Sequence, residues 1–343
     1  MTLPQTMKAL ALREGGFSGT AEGPSIKALE PYLEFSDLPL PVPGAGEVLI
    51  RVGLANVNPS DLHFIKGEYG LPRVKGAPAG FEGTGTVAAA GPGAEGLIGK
   101  RVAFVAGSSG AWAQYAIAEA RSCVPVPDAI REEDAAALFV NPLTAIAMVG
   151  EVRKAGADAF FMTAAASQLC KLIAGLAKDE GLAAIAIVRR AEHVEVLKSH
   201  GAAEVLDSSA PDFKEAAAGL IKQRKPRILL DAVADQLASD LFFAMPSRSR
   251  WVIYGKLSPV SPVLTQAGQF IFMDKHIEGF WLSKWLKHAA PAEVAAAGAK
   301  VLQRFASGAW RTDVAEVLSL EEAFDRMPAA LALANRGKVM LRP

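Results

Sequence analysis

The sequence has few of the residues that build metal clusters and disulfide frameworks. Among 343 residues there are two cysteines, Cys123 and Cys170, and five histidines. Two cysteines argue against a disulfide-stapled scaffold and against a zinc cluster built on thiolates. The histidines are His63, His193, His200, His276 and His288. None has a spacing to another histidine, a cysteine or an acidic residue that fits a zinc site, so we expect no metal.

An excess of charge of one sign and long apolar runs are also missing. The 36 basic and 36 acidic residues give a formal net charge of zero, which offers no electrostatic footprint for nucleic acid or an anionic membrane. No apolar run reaches the length of a transmembrane helix. The first residues, MTLPQTMKALALREGGF, lack the apolar core of a signal peptide. We expect a cytoplasmic protein that binds neither nucleic acid nor membrane.

Signatures of covalent catalysis are missing as well. There is no G-x-S-x-G elbow, and neither cysteine has a compelling base partner in the sequence. What the chain does have is apolar content, 51%, and a length sufficient for two domains with a large core. With 31 glycines and 21 prolines, this composition suits a soluble α/β protein.

The order of strand and helix patterns predicts two domains. Residues 1–130 carry strand signals, as in MKALAL and EVLIRVGLANV, with loops rich in glycine and proline. From 155 to 284, short apolar strands alternate with amphipathic helices, which predicts a doubly wound parallel sheet. The tail, 285–343, is expected to pack back on the first domain. We predict a β-rich catalytic domain at 1–130 and 285–343 and a dinucleotide-binding domain at 131–284.

The stretch 158–192 is the most informative part of the second domain. It reads as a strand (DAFFM), a turn (TAAA), a helix (SQLCKLIAGLAKDE), a second strand (LAAIAIV) and the segment RRAE. Leu169, Leu172 and Leu176 fall on one face of the helix, and Gly181 stands where a helix stop belongs. Strand, helix and strand at this spacing form a βαβ unit, the core of a dinucleotide-binding domain.

This βαβ unit lacks the G-x-G-x-x-G motif. Ala165, Ser167 and Cys170 stand where the glycines belong. Those glycines provide a tight turn, close backbone approach to the pyrophosphate and close helix packing. The helix N-terminus still offers N–H groups to a phosphate, and the Ser167 hydroxyl can add a donor. Two hypotheses stay open here, namely a variant phosphate turn and a fold that has lost its cofactor.

Two arginines follow the second strand of the unit. A dinucleotide fold selecting NAD tends to carry an acidic residue there, whereas one selecting NADP carries arginine to hold the 2′-phosphate. Here Val188 is followed by Arg189 and Arg190, and the first acidic residue is Glu192. The alternative is that both arginines are ordinary solvated charges. Within a βαβ unit, this pattern favours NADP.

The order of a β-rich domain, a dinucleotide domain and a returning tail resembles the medium-chain dehydrogenase/reductase superfamily, over essentially the whole chain. The resemblance implies a GroES-like catalytic domain and a Rossmann domain. The zinc enzymes of that superfamily have a catalytic cysteine near VNPSDLH and a His-Glu pair near GFEGTG. Here Asn58 stands in the first place, and Phe81 precedes Glu82 in the second. The chain therefore resembles the zinc-free branch, with 2-enoyl thioester reductases first and NADPH:quinone oxidoreductases next.

Four stretches carry this resemblance: VNPSDLHFIKGEYG, FVNPLTA, YGKLS and FIFMDKHIEGFWLSKWL. It implies a catalytic role for Tyr69, with Asn58 orienting the substrate or Tyr69. It also implies that NADPH is bound at FVNPLTA, at YGKLS, at residues 280–282 of the last stretch, at the phosphate turn and at the C-terminal strand. The predicted cofactor residues are Asn141, Thr144, Ala166, Ser167, Gln168, Leu169, Arg189, Arg190, Tyr254, Gly255, Lys256, Leu257, Phe280, Trp281, Leu282 and Lys338.

Three functional hypotheses remain. In the first, NADPH delivers hydride to the β-carbon of an enoyl thioester or enone, and Tyr69 donates a hydrogen bond to the developing enolate oxygen. In the second, the hydride goes to a quinone and Tyr69 has no role. In the third, the protein is an inactive family member that acts as a binding protein. The missing glycines favour the third hypothesis, whereas the arginines and Tyr69 oppose it.

The last of the four stretches also bears on assembly. Its residues 276–282 are predicted to form an edge strand with exposed apolar and aromatic side chains. An unpaired edge invites pairing with a second copy. Similar enzymes dimerise through this strand, so the resemblance implies a homodimer.

Overall fold

The computed structural model describes residues 3–107, 109–333 and 336–343. The chain forms two compact units, one made of Met1–Val140 and Phe305–Pro343 and the other of Asn141–Arg304. The α/β class predicted from the sequence is confirmed. None of the helices in the described residues is both long and apolar enough to cross a bilayer.

The two boundaries between the units lie after Val140 and after Arg304, later in the sequence than the predicted boundaries at 130 and 284. The second boundary is later than predicted because most of the helix over Pro291–Ala306 belongs to the second unit. Ion pairs tie this helix to the helix of the βαβ unit, one between Lys300 and Glu180 and one between Arg304 and Asp179 (2.8 Å).

Strands and helices alternate through the middle of the chain, as the sequence pattern predicts. The strands are β1 (Thr6–Leu12), β2 (Leu33–Pro39), β3 (Glu47–Asn56), β4 (Glu82–Ala90), β5 (Arg101–Val105), β6 (Tyr115–Glu119), β7 (Cys123–Pro125), β8 (Ala159–Met162), β9 (Ala183–Val188), β10 (Glu204–Asp207), β11 (Ile228–Asp231), β12 (Arg250–Ile253), β13 (His276–Gly279), β14 (Val314–Ser319) and β15 (Lys338–Arg342). The helices are α1 (Pro59–Lys66), α2 (Glu132–Ala136), α3 (Val140–Lys154), α4 (Gln168–Asp179), α5 (Val194–Ser199), α6 (Phe213–Arg224), α7 (Gln236–Ala244), α8 (Gly268–Phe272), α9 (Leu282–His288), α10 (Pro291–Ala306) and α11 (Ala323–Ala332).

The first unit is built on two sheets. Strands β1 and β2 form an antiparallel pair, and a second sheet runs in the order β14, β15, β3, β4, β5, β7, with β6 also paired to β3. Strand β15 pairs antiparallel with β3, opposing Met340 to Asn56. The tail therefore returns to the first unit, and it delivers Lys338 to the end of β3.

One glycine fixes how the chain enters β4. Gly80 has φ +95°, and a Cβ atom there would lie 2.4 Å from Cδ1 of the buried Trp112 side chain. Any larger residue would displace the indole, whose N–H donates to the backbone carbonyl of Asn56 (3.1 Å). Gly80 thus permits the packing that sets the positions of Phe81 and Glu82.

The second unit contains a six-stranded parallel sheet with the order β10, β9, β8, β11, β12, β13. Numbered from its own first strand, this order is 3-2-1-4-5-6, the arrangement of dinucleotide-binding folds. The strand order reverses between β8 and β11, and ligands of such sheets bind outside the carboxyl ends of the strands at that point. The predicted dinucleotide-binding fold is therefore present.

Two local predictions need correction. The region after β3 reads as turns in the sequence, but it contains the helix α1, which Asn58 precedes and Pro59 starts. Proline at the first helical position is pre-organised for a helix, so the signal was present. The predicted strand at 276–282 ends at Gly279, because Trp281 is the N-cap of α9 and its carbonyl accepts the Trp285 N–H (3.0 Å).

Candidate active site

A cluster of buried polar side chains lies where β3 ends and where α1 and β4 begin. It consists of Asn56, Asn58, Asp61, Glu82 and Lys338. Helix α1 starts shortly after β3, and the pairing of β15 with β3 brings in the lysine. Because burial removes these groups from water, each polar atom needs an internal partner.

Glu82 is the centre of this cluster. Its Oε1 accepts from the side-chain amides of Asn56 and Asn58, both at 2.7 Å. Its Oε2 accepts the backbone N–H groups of Phe139 (3.1 Å) and Val140 (3.0 Å). These two donors lie at the start of α3, where N–H groups have no acceptor within the helix and favour an anion. Four donors therefore satisfy a carboxylate that is fully buried.

Lys338 supplies the positive charge of the cluster. Its Nζ donates to Oδ1 of Asn58 at 2.7 Å. Burial lowers the pKa of Lys338 to about 8, although the nearby carboxylates of Glu82 and Asp61 favour its charged form. The contact with the cofactor that the resemblance implies for Lys338 stays a prediction, since the side chain is engaged within the first unit.

Asp61 joins the cluster to the next stretch of chain. Its Oδ2 accepts the backbone N–H of Asn58 (2.7 Å), and its Oδ1 accepts that of Phe81 (2.8 Å). Burial raises the pKa of Asp61 to about 7; the charge of Glu82 adds to the rise, while both N–H donors and Lys338 counteract it. Asp61 therefore changes protonation state near neutral pH.

Tyr69 lies in the turn after α1 and is half-buried. Its ring packs on the ring of Phe81 with centroids 5.2 Å apart, and Phe81 in turn packs on Phe64 at 5.0 Å. Asp61 accepts the backbone N–H of Phe81, and the Phe81 ring packs on Tyr69. The polar cluster is therefore connected to Tyr69 through one aromatic contact.

Glu68, the residue before Tyr69, is bound by a second set of hydrogen bonds that does not involve Phe81. The Glu68 carboxylate accepts hydrogen bonds from the backbone N–H groups of Glu22 (2.7 Å) and Gly23 (3.0 Å), from the Thr20 hydroxyl (2.8 Å) and from the ring of His63 (3.3 Å). Burial opposes ionisation, but these hydrogen bonds prevail and lower the pKa of Glu68. The backbone at Tyr69 is thus fixed independently of its ring.

Asn58 has no exposed surface to offer a substrate. It is 1% exposed, and its side chain is used by Glu82 and Lys338. Its backbone N–H donates to Asp61, which also accepts the backbone N–H of Phe81. Tyr69 packs on the ring of Phe81. Of the two predicted roles for Asn58, this path favours the orientation of Tyr69.

In the second unit, the phosphate turn joins β8 to α4. Ser167 is the N-cap of α4, and its Oγ accepts the Cys170 N–H (3.3 Å). A serine hydroxyl also has a proton to donate, as the sequence prediction requires. Ala164 adopts φ +48°, a left-handed conformation that usually selects glycine. The turn therefore keeps the tight bend of a glycine-rich loop with alanine in its place.

Cys170 stands in the place of the third glycine and is fully buried. Its Sγ lies 3.5 Å from the Thr163 carbonyl oxygen and 3.5 Å from the Tyr254 hydroxyl. Burial raises the pKa of the Cys170 thiol, which keeps it protonated and unreactive at neutral pH. The larger side chain thus packs against the 254–257 loop that is predicted to lie along the cofactor.

Asp231 closes the carboxyl ends of three neighbouring strands. It accepts from the hydroxyl of Thr163, from the indole N–H of Trp251 (2.8 Å), and from the backbone N–H groups of Val233 (2.9 Å) and Ala234 (3.0 Å). Burial raises the pKa of Asp231, against the effect of these donors. This side chain fixes the loops at the point where the strand order reverses.

Most predicted cofactor residues come directly after the carboxyl ends of parallel strands. Ala166–Leu169 follow β8, Arg189 and Arg190 follow β9, Tyr254–Leu257 follow β12, and Phe280–Leu282 follow β13. Because the strands are parallel, these segments meet at one edge of the sheet. Asn141 and Thr144 lie in the first turns of α3, where Asn141 is half-buried and Thr144 is 7% exposed.

The two arginines after β9 differ in their surroundings. Both are exposed, but Arg190 pairs with Glu192 (3.4 Å). We expect Arg189→Gln to raise the KM for NADPH by about 10-fold, the cost of one charge-assisted hydrogen bond to an exposed phosphate. The KM for NADH should not change. Steady-state kinetics with both cofactors measures this.

The matched control for that prediction is Arg224→Gln. Arg224 is an exposed arginine of the same unit, paired with Glu204 (3.4 Å) at the amino end of β10, whereas the predicted cofactor segments follow carboxyl ends. It should leave both constants unchanged. An equal rise of KM for NADH and NADPH in Arg189→Gln would contradict a role in holding the 2′-phosphate.

Sequence reasoning missed three acids that organise these sites. In the sequence, Glu82 appears only as part of GFEGTG and Asp61 only as part of VNPSDLH, and no motif contains Asp231. A signal existed for two of them, because Glu82 begins a buried strand and Asp231 ends the apolar run RILLD. An acid at the end of a buried strand needs internal partners, and such acids often organise a site.

Comparison with known proteins places these features in one family. Residues 44–128 match the model of the alcohol dehydrogenase GroES-like domain, and residues 169–299 match that of the zinc-binding dehydrogenases. The chain is 30% identical over 289 residues to the mitochondrial enoyl-[acyl-carrier-protein] reductase of Bos taurus, covering 80% of this chain and 77% of that protein. The protein belongs to the medium-chain dehydrogenase/reductase superfamily.

Solved structures agree with this assignment. A Mesorhizobium loti protein proposed to be an NADPH:quinone reductase is 51% identical, with a TM-score of 0.95 and full coverage of both chains. A mycobacterial protein complexed with NADPH is 26% identical, with a TM-score of 0.78, covering 98% of this chain and 100% of that chain.

The zinc in the name of one family model does not fit this chain. Asn58, Phe81 and Glu82 occupy the places that the resemblance gives to metal ligands. Phe81 has no ligand atom, and both oxygens of Glu82 already accept two N–H donors each. Over the described parts of the chain, no three His, Cys, Asp or Glu side chains form a group that could hold a metal ion.

Proposed function

We propose that the protein is an NADPH-dependent oxidoreductase that transfers hydride to a conjugated acceptor without zinc. The observation that carries this proposal is the convergence of four predicted cofactor segments at the carboxyl edge of one parallel sheet with the order 3-2-1-4-5-6. The NADPH complex of the mycobacterial relative and the name of the Mesorhizobium relative support the same cofactor, and the names of the bovine and Mesorhizobium relatives support the reaction class.

The residues of the chain would divide the work as follows. The N-terminus of α4 and the Ser167 hydroxyl bind the pyrophosphate, and Arg189 holds the 2′-phosphate. NADPH supplies the hydride. Tyr69 donates a hydrogen bond to the acceptor oxygen, where negative charge develops as the conjugated double bond is reduced. A tyrosine hydroxyl carries an O–H donor and can make this hydrogen bond without ionising.

The acceptor is an enoyl thioester, an enone or a quinone. NADPH oxidation, followed by absorbance with one compound of each type, tests the proposal and ranks the three. We expect the highest kcat/KM with an enoyl thioester or enone. Tyr69 is positioned both by the ring of Phe81 and by the hydrogen bonds of Glu68, and we expect reduction of a quinone to depend less on its hydrogen bond. Oxidation of NADPH with none of the three would contradict the proposed reaction.

The inactive-binding-protein hypothesis is separated by a cofactor titration. Thermal unfolding with and without NADPH should show a rise of the melting temperature, because a ligand bound only to the folded state stabilises it. A shift without turnover would support the binding protein. No shift at millimolar NADPH would contradict cofactor binding altogether.

We also propose a homodimer formed through β13. This strand pairs with β12 on one side and lies at the edge of the sheet. The preceding residues Ile271 and Phe272 are exposed at 76% and 84%, and an exposed apolar segment beside an open strand edge invites a second copy. Sedimentation equilibrium at a monomer mass would contradict this. The proposed location is the cytoplasm, which cell fractionation tests.

A further inference from the structure

A lysine ammonium contacts Asn58, the residue that stands where the resemblance gives the zinc enzymes a metal ligand. Lys338 Nζ donates to Asn58 Oδ1 (2.7 Å), Asn58 Nδ2 donates to Glu82 (2.7 Å), and the Asp61 carboxyl takes the Asn58 backbone N–H (2.7 Å). We propose that Lys338 is a positioning residue whose ammonium, held by Asn58 between two buried carboxyl groups, fixes the orientation of Tyr69 for the reaction.

The contacts from Lys338 to Tyr69 form a continuous path. The ammonium fixes the amide of Asn58, whose backbone N–H is bound by Asp61. The other oxygen of Asp61 binds the backbone N–H of Phe81 (2.8 Å), and the Phe81 ring packs on Tyr69. Each link joins buried or half-buried groups, so a change at one end displaces the next rather than relaxing into solvent.

The positive charge of Lys338 offsets the negative charges of two buried carboxyl groups. Asp61 and Glu82 are both fully buried, and the ionisable group that counterbalances them is Lys338. Beside Lys338, the Asn56 amide on β3 donates to Glu82 (2.7 Å), and the backbone carbonyl of Asp313 accepts the Lys338 N–H (2.7 Å). Removing a cation from a buried group of opposite charges leaves those charges uncompensated, which is costly.

The carboxyl of Asp61 would respond to that loss by taking up a proton. Asp61 is the group that protonates, because burial already raises its pKa to about 7 and only two backbone N–H donors favour its ionised form. A protonated carboxyl has an O–H on one oxygen, and that oxygen accepts an N–H less well. The Phe81 or the Asn58 N–H then loses its partner, and the aromatic contact of Tyr69 shifts.

The first experiment compares Lys338→Met with Lys275→Met. Lys275 is the matched control, because it is 2% exposed, burial lowers its pKa to about 8 as well, and it donates to the carbonyls of Phe242 (2.8 Å) and Phe243 (3.0 Å) at the end of α7. We expect Lys338→Met to lower kcat by about 10-fold at pH 8, where Asp61 is mostly ionised in the wild-type protein and mostly protonated in the variant, and Lys275→Met to change only stability.

This kinetic part rests on the proposed reductase function, so a second measurement does not use activity. Carbon-13 NMR titration of labelled aspartate should give a midpoint near pH 7 for Asp61 in the wild-type protein. Lys338→Met removes a positive charge that favours the ionised form, so the midpoint should move upward. Lys275→Met should leave it unchanged.

Binding of NADPH distinguishes positioning from direct contact with the cofactor. If Lys338 acts within the first unit, Lys338→Met should keep the thermal shift that NADPH produces in the wild-type protein. A lost shift would overturn the proposal in favour of a cofactor contact. An unmoved Asp61 midpoint, or a wild-type kcat, would also overturn it. A wild-type protein inactive on every acceptor would refute the proposed function, but the NMR result would still test the charge coupling between Lys338 and Asp61 on which this proposal depends.

Discussion

Tyr69→Phe is expected to lower kcat for reduction of an enoyl thioester by about 100-fold. Removal of one hydrogen-bond donor aimed at a developing oxyanion typically costs 10²- to 10³-fold. The phenylalanine keeps the ring that packs on Phe81 at 5.2 Å, so the change removes the hydroxyl and little else. Steady-state kinetics at saturating NADPH, with the thioester as the varied substrate, measures it.

A second tyrosine provides the control. Tyr115, at the start of β6, is half-buried like Tyr69 and lies in the same unit. Tyr115→Phe should leave kcat within about twofold of the wild-type value, as expected for a residue outside the site. Full activity of Tyr69→Phe toward the thioester, with NADPH binding intact, would remove Tyr69 from the mechanism. Loss of activity toward thioester but not quinone would show that the two acceptors use it differently.

Glu82→Gln is expected to lower the free energy of unfolding by about 3 kcal/mol, because breaking a fully satisfied buried carboxylate leaves unpaired donors in a dry environment. Glutamine has the same shape but replaces one acceptor oxygen with an NH₂ group. Whichever way the amide turns, that group faces either the amides of Asn56 and Asn58 or the N–H groups of Phe139 and Val140. Urea unfolding followed by circular dichroism measures the loss.

An exposed glutamate of the same unit is the comparison. Glu119 pairs with Arg121 (2.5 Å) on the surface, where both side chains are at least half exposed. Such pairs contribute little, so Glu119→Gln should change the stability by less than about 0.5 kcal/mol. Equal losses in the two variants would mean that the four hydrogen bonds of Glu82 are not what holds the start of α3.

The sequence predicted the second unit well because its signals are local. A parallel strand buried on both faces is an apolar run, and each helix between strands shows its own apolar face, so the alternation from β8 to β13 could be seen in short windows. The helix of the βαβ unit is confirmed over Gln168–Asp179. The end of β13 was placed too late, because the apolar residues Phe280 and Trp281 extend the pattern past the point where α9 begins.

The polar cluster of the first unit could not be found in this way. Asn58 and Lys338 are separated by 280 positions in the chain, and only the pairing of β15 with β3 joins them. Their residue types are ordinary, and in a sequence an unpaired lysine reads as a solvated charge. The predicted cofactor segments of the second unit were easier to find, because one rule places ligands at the carboxyl ends of parallel strands.

The phosphate turn without glycine has a consequence for binding thermodynamics. An alanine in the unfolded chain, or in a loosened loop, samples fewer conformations than a glycine, so less entropy is lost when the turn is ordered. Ala164 adopts its left-handed conformation at some strain, but the turn is then already shaped before a phosphate arrives. Cofactor binding should accordingly carry a smaller unfavourable entropy than in a glycine-rich loop, which calorimetric titration with NADPH can measure.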